Sequence, residues 1–414
     1  MPVVSHIPTS SFSHFDSPRL VQSASGTPLK GDLSHLAPYM AEVKPSLDRF
    51  SASTVNVTTP NKDAAAIIPH GTWATDKLCR LGMYHPVEPA HATFPKAQLA
   101  HVLDQLTDCF RALSCHVLYE DNLLSAACLS PEQVEFQVTL FETAQPAAHE
   151  ETILMELQRR AGDSFVFHQD YVRPIMAVIQ GNAPVAGILT ERKRPDRRAG
   201  ESMDHLSQQI VGFAALPLHE DDVTVALELA TNLVTADRLD ARRLGMESLA
   251  TMLDTSKTGW STACQVARAL ILPTNDNAQR LAQTLLRYLL ERPAVPTEAS
   301  KHPFDEDHLA FEALNVWSHA WQVGADDLDT PLEHFCDVAC PADALCQALM
   351  DRVVAVHARP HAATLALQAL CPLCKEMPQL RAHVSWADVQ VAEAVGVREN
   401  AALAKASRQL LNVR

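Results

Sequence analysis

The sequence predicts a multidomain chain. It reads as a disordered N-terminal tail, a small α+β domain (helix, four antiparallel strands, helix) and an all-α solenoid of stacked helices. Three observations carry this. From about residue 220 to the C-terminus, apolar residues recur every three or four positions, the spacing of a buried helical stripe. Between residues 134 and 158 the period switches to two, as a half-buried strand requires. Before residue 93 neither period persists, and Ser, Thr, Pro and His dominate. The boundaries that follow are 1–92 for the tail, 93–181 for the α+β domain, 182–201 for a basic linker and 202–414 for the helical repeats.

The tail buries too little apolar surface to offset its ordering entropy. Within it, residues 33–50 keep a helical spacing broken by Pro38 and Pro45, and Trp73, Leu78 and Leu81 could dock onto the next domain. Ser17-Pro18, Thr27-Pro28 and Thr59-Pro60 are candidate phosphorylation sites, where added charge could switch a contact.

In the α+β domain Thr93 is placed as the cap of a first helix. Leu99, Val102, Leu103, Leu106, Cys109, Phe110 and Leu113 share one face of that helix. Strands are expected at Cys115–Tyr119 and Leu123–Leu129, joined by the turn Glu120-Asp121-Asn122. Stronger alternation follows at Val134, Phe136, Val138 and Leu140, and again at Ile153, Met155 and Leu157. Gly162-Asp163 ends the last strand. A helix carrying Phe167, Tyr171, Ile175 and Ile179 closes the domain, with Pro174 forcing a kink or a late start.

The helical stripes then run in series: Val223 to Val234, Leu239 to Leu253, Ala278 to Leu289, Ala310 to Trp321, Ala342 to Val356, Ala363 to Leu373, Val389 to Val395 and Ala402 to Leu410. Pro273, Pro293, Pro303, Pro341, Pro360 and Pro378 punctuate them.

Two resemblances bear on this order. The helix–strands–helix unit, with Gln158-Arg159-Arg160-Ala161-Gly162-Asp163-Ser164-Phe165-Val166-Phe167-His168, resembles the kinase-associated domain at the C-terminus of AMP-activated and microtubule-affinity-regulating kinases. That resemblance covers about 90 residues and implies contact with acidic phospholipid or a regulatory partner, with Arg159 and Arg160 as basic contacts. It departs from the family in that no kinase catalytic domain precedes it. Ala241-Arg242-Arg243-Leu244-Gly245-Met246-Glu247-Ser248-Leu249-Ala250 resembles the small-residue-rich third helix of an armadillo repeat, and Asn400 to Ser407 echoes it. That likeness implies a degenerate armadillo-like solenoid of about three to five repeats.

Composition narrows the function classes. At 414 residues and 47% apolar content, the chain can build cores that need no disulfide staples. A formal charge of -15 argues against broad nucleic-acid binding, which needs a positive face. No run of 18 apolar residues suggests a membrane span. The start, Met1-Pro2-Val3-Val4-Ser5-His6, lacks the basic-then-apolar pattern of a signal peptide. Ten Cys without an export signal read as reduced thiols, so the expected location is the cytoplasm, with the nucleus as an alternative. Gly is scarce at 13 residues, and neither G-x-G-x-x-G nor G-x-x-x-x-G-K-[ST] occurs, which counts against phosphate-cradling folds. No cofactor is expected.

Candidate sites divide into four groups. Cys371-Pro-Leu-Cys374 with Cys336, Cys340 and Cys346 has zinc-like spacing, but Cys374 continues the Leu370–Leu373 stripe and reads equally as core. His302-Pro-Phe-Asp305-Glu306-Asp307-His308 could bind a divalent cation, or could be a loop ending in an acidic helix start. The third group is the helical surface, where Arg242, Arg243, Glu247, Arg280, Arg287, Asn315, Trp317 and Trp321 are candidate partner contacts; the two Trp also share a stripe with Ala310 and Ala313 that would bury them. Arg159 and Arg160, with Arg192, Lys193, Arg194, Arg197 and Arg198 of the linker, form a candidate basic patch for anionic lipid or an acidic partner. The expectation is a non-enzymatic adaptor that holds a protein partner through its helical surface. A peripheral membrane-targeting protein and an enzyme of unrecognised fold are the alternatives.

Overall fold

A six-stranded sheet lies ahead of the helices in the computed structural model. The structure describes residues 73–82, 84–120, 123–143, 151–187, 220–290, 303–327, 332, 335 and 340–414. The segment 33–50, the three Ser/Thr-Pro pairs, the cations at 192–198, His302 and Cys336 lie outside the described residues. So do the side chains of 220, 221 and 303–307. Pro69–Arg414 forms one unit, which holds both the sheet and the helices.

The strands are β1 (Cys79–Arg80), β2 (His91–Pro95), β3 (His116–Tyr119), β4 (Ser125–Leu129), β5 (Glu135–Thr143) and β6 (Thr152–Ala161). Their order is β2-β6-β5-β4-β3, antiparallel throughout, and β1 adds in parallel beyond the end of β4 on β5. Helix α1 (Leu99–Ala112) precedes β3. Helix α2 follows β6 as Ser164–Val166, a π-helical stretch Phe167–Val172 and Arg173–Ile179.

The predicted helix–four strands–helix order is present, with two strands added in front of it. Thr93 caps no helix. It sits in β2, opposite Leu154, because Ala92 and Phe94 alternate inward against exposed His91 and Thr93. The folded unit therefore begins well before residue 93. Trp73 docks as expected: its indole N–H donates to Thr107 Oγ1 at 3.1 Å, and its ring meets Tyr119 at 5.0 Å. Pro174 neither kinks the helix sharply nor delays its start, which is Ser164. It lacks an N–H for the carbonyl four residues back, and the turns before it widen to π geometry.

Phe136, Val138 and Leu140 of β5 and Ile153, Met155 and Leu157 of β6 form the face covered by α1 and α2. The opposite face is polar. There Gln137 donates to Ser125 Oγ at 2.8 Å and Ser125 meets Thr139 at 3.2 Å. Residues 84–90 cover part of it, where buried Glu156 accepts from the Glu88 N–H at 3.1 Å and meets His85 Nε2 at 2.8 Å.

The helical part contains α3 (Glu220–Val234), α4 (Leu239–Leu253), α5 (Trp260–Ile271), α6 (Asp276–Leu290), α7 (Pro303–Asp326), α8 (Ala342–Val354), α9 (Pro360–Glu376), α10 (Trp386–Glu399) and α11 (Ala401–Leu411). Every predicted stripe lies on one of these. The sequence reading lacked α5, which buries Ala263, Val266, Ala267 and Leu270. Pro303 and Pro360 open their helices and Pro341 caps one, positions where a missing N–H costs nothing.

The packing follows a ladder. Helices pair as α3/α4, α6/α7, α8/α9 and α10/α11. First members touch in the series α3, α6, α8, α10, and second members in the series α4, α7, α9, α11. Helix α5 wedges between the first two pairs, against α3, α4, α6 and α7. Small residues set the closest approaches inside pairs. A Cβ on Gly245 of α4 would lie 2.8 Å from the Val234 backbone, and one on Gly396 of α10 would lie 2.3 Å from the Ala404 nitrogen. The small-residue phrases singled out in the sequence thus join the two helices of a pair.

Candidate interaction surface

Helix α7 crosses the middle of the ladder, and its residues divide sharply by phase. Ala313, Leu314, Trp317, Ala320 and Trp321 point into the core. Trp317 and Trp321 are both 0% exposed, stacked at 5.1 Å between ring centroids, with Phe335 packed at 4.9 Å from Trp317. This corrects their reading as partner contacts: at spacing i, i+4, in phase with Ala313 and Ala320, they fill the space between α7 and its neighbours. Their indole N–H groups meet no acceptor among the described residues, so their contribution is apolar packing.

The other phase of α7 carries Glu312, Asn315, His319 and Gln322, separated by three or four residues and so aligned along one side. Helix α4 adds Arg243 and Glu247, an i,i+4 ion pair at 2.8 Å that leaves both side chains nearly half exposed. Glu312 is 6% exposed, and the Asn315 amide hydrogen-bonds its carboxyl. Burial pushes the Glu312 carboxyl up to about 7, and the charge of Glu247 adds to the rise; Arg243 and the Asn315 bond oppose it. Further along the stripe, burial lowers the His319 imidazole, against the pull of Asp254. A carboxyl near half-protonation at neutral pH beside a charged pair can exchange a proton or accept a cationic group with small environmental change. Of these residues the sequence reading had Arg243, Glu247 and Asn315. Glu312, His319 and Gln322 were missed, although polar residues recurring in phase along an otherwise apolar helix are a readable signal.

The remaining candidates lie elsewhere. Arg242 points away from Arg243 and braces α4 on α6, donating to Tyr288 Oη at 2.9 Å and to the Asp237 carbonyl at 3.0 Å. Arg280 and Arg287 are exposed on α6, in the other helix series, with Arg287 lying 5.6 Å from the Tyr288 ring centroid. One continuous surface through all the predicted positions is therefore not what the packing builds, because α6 and α4 belong to different series.

Arg159 and Arg160 are exposed but do not share a patch. Arg159 pairs across the sheet with Phe136, on the helix-covered face, and donates to the Gly162 carbonyl at 2.8 Å. Arg160 reaches Gln137 on the polar face. Arg160 is the extra residue of a β-bulge between the pairs Phe136–Arg159 and Glu135–Ala161, and the bulge turns it away from its neighbour.

The nine cysteines among the described residues are free thiols. Cys374, Cys346 and Cys340 are buried core members, and burial pushes the Cys374 thiol up to about 12. Among the described residues, no group of three or more His, Cys, Asp or Glu is arranged to hold a metal ion. The backbone of residues 305–307 lies near the start of α7. No helix among the described residues is long and apolar enough to cross a membrane. Comparison with known proteins gives no match to this chain, whether with a family model, a curated protein or a solved structure.

Proposed function

We propose that this chain is a non-enzymatic interaction scaffold that holds a protein partner along the second helix series. The half-buried stripe Glu312–Asn315–His319–Gln322, with Arg243 and Glu247, is the recognition surface. The observation that carries the reading is the phase of α7: a polar stripe is kept on a helix whose other sides are core. Burying polar groups is costly unless something is gained from their placement. The ladder of helix pairs supports it further, since stacked αα units make extended surfaces from the same member of each pair. In this reading the helical part is a degenerate armadillo-like array. The sheet domain, similar in element order to the kinase-associated domain, serves as its end-piece and docks on the last two pairs.

Affinity capture with the full-length chain tests the proposal. Wild type is compared with Arg243→Glu/Glu247→Lys, which reverses both charges of the surface, and with Arg280→Glu/Arg287→Glu on the other series. Retention of one defined protein by wild type and the α6 variant, and its loss from the α4 variant, is the expected result. Retention by all three, or by none while all remain folded, refutes it.

A further inference from the structure

The sheet domain meets the helical array at one end of the β3–β4 pair, and the contacts there are polar. His116 of β3 and Leu129 of β4 are register partners. His361, in the first turn of α9 and 7% exposed, lies over both. Its Nε2–H donates to the Leu129 carbonyl at 3.0 Å, and its ring stands edge-on to that of His116 with centroids 6.5 Å apart. Two residues before β3, Ser114 holds a left-handed backbone (φ 59) that turns both its oxygens toward the array. The Asn400 side-chain amide donates to the Ser114 carbonyl at 3.1 Å, and the Ala402 N–H donates to Ser114 Oγ at 2.9 Å. Asn400 also caps α11 through its Oδ1, which accepts from the Leu403 N–H at 2.9 Å. A cleft with about 60 Å³ of free volume lies beside these contacts, lined by His116, Pro360 and Asn400 among others.

We propose that this seam is an acid-labile latch, in which uptake of a proton by His361 releases the sheet domain from the last two helix pairs. A carbonyl can only accept, so the contact fixes the Nε2–H tautomer, and acid adds its proton at Nδ1. The charge that results is confined to a buried interface while the latch is closed and reaches water when it opens. Groups on the sheet side of the seam are Arg111, Cys115, His116, Tyr119 and Glu132; the array contributes His357, Arg398 and Glu399. Glu132 and the Leu129 carbonyl favour the charged ring, but burial outweighs both and lowers the His361 imidazole below its ordinary value. The closed seam is thus fully favoured above about pH 6.5 and weakens as pH falls below it. One proton taken up on opening makes the opening equilibrium grow about tenfold per pH unit in that range.

Hydrogen exchange of the full chain, followed by mass spectrometry and corrected for the intrinsic pH dependence of exchange, reads the latch directly. Peptides holding the Ala402 amide should open about tenfold more often at pH 5.5 than at pH 7.5, while β5–β6 peptides change little. His361→Gln can still donate to Leu129 but cannot titrate, and should show no such acceleration. Equal acceleration in His361→Gln, or none in wild type, overturns the proposal. Exchange of the imidazole C2 hydrogen in wild type keeps the test open should that variant fail to fold. A His361 titrating at its ordinary value in the closed chain also overturns it.

Discussion

Glu312→Gln should stabilise the helical array, and by an amount that depends on pH. The carboxyl rises from an ordinary 4.5 to about 7 in the folded chain, chiefly through burial and then through Glu247. A raised carboxyl means that the folded state holds its proton more tightly than the unfolded state does. The cost of ionisation is therefore absent below pH 4.5 and grows as pH rises through about 7. At about 1.4 kcal/mol per unit, this linkage costs the wild type roughly 3 kcal/mol at pH 8 and roughly 1 kcal/mol at pH 5. Glutamine has nearly the same volume, carries no charge and retains a carbonyl for the Asn315 amide. Urea unfolding followed by tryptophan fluorescence should therefore show a gain of about 3 kcal/mol at pH 8 that shrinks to about 1 kcal/mol at pH 5. Two of the five Trp that report, Trp317 and Trp321, lie on α7 itself. An equal gain at both pH values, or a loss at both, would refute the argument.

Other outcomes follow from packing and from the seam. Trp317→Ala empties the space against Trp321 and Phe335 and should cost about 3–5 kcal/mol in the same unfolding assay; a loss under about 1 kcal/mol would place Trp317 outside the core. Asn400→Ala removes a helix cap and leaves the Ser114 carbonyl without its donor, for a combined loss of about 2–3 kcal/mol. Asn400→Ser keeps a cap oxygen and forfeits the bond to Ser114, so a Ser variant as damaged as the Ala one would show that the cap is not the larger part.

Much of this architecture is legible from periodicity, because burial on one side imposes phase on a helix and alternation on a strand. The stripe through Ala313, Trp317 and Ala320 specifies a core face, and that face holds both Trp even though large aromatics are common interface anchors. Strand β2 was hidden because only Ala90, Ala92 and Phe94 alternate between Pro89 and Pro95, a run too short and too small to outweigh a Thr ahead of a helical stripe. Helix α5 was missed for a different reason: its buried face is built partly from Ala263, Ala267, Thr262 and Cys264, residues too small or polar to mark an apolar stripe.

Site residues are harder to read, since phase identifies a side of a helix but not what that side meets. Arg242 and Arg243 are adjacent in sequence, yet one braces α6 and the other pairs with Glu247 beside Glu312. Arg280 and Arg287 were grouped with them on charge alone, and only the pairing of helices assigns α6 to the other series. The seam joins segments 232 to 286 residues apart, and no local pattern around Ser114 or His361 announces it.

A photo-crosslinking residue placed at Asn315 of the full-length chain, with Arg280 as the reference position, tests the central claim most directly. The account predicts that one protein crosslinks at 315 in cell lysate and that the adduct disappears with Arg243→Glu/Glu247→Lys. Crosslinking of that protein at 280 with none at 315 would contradict it and move the binding surface to the first helix series.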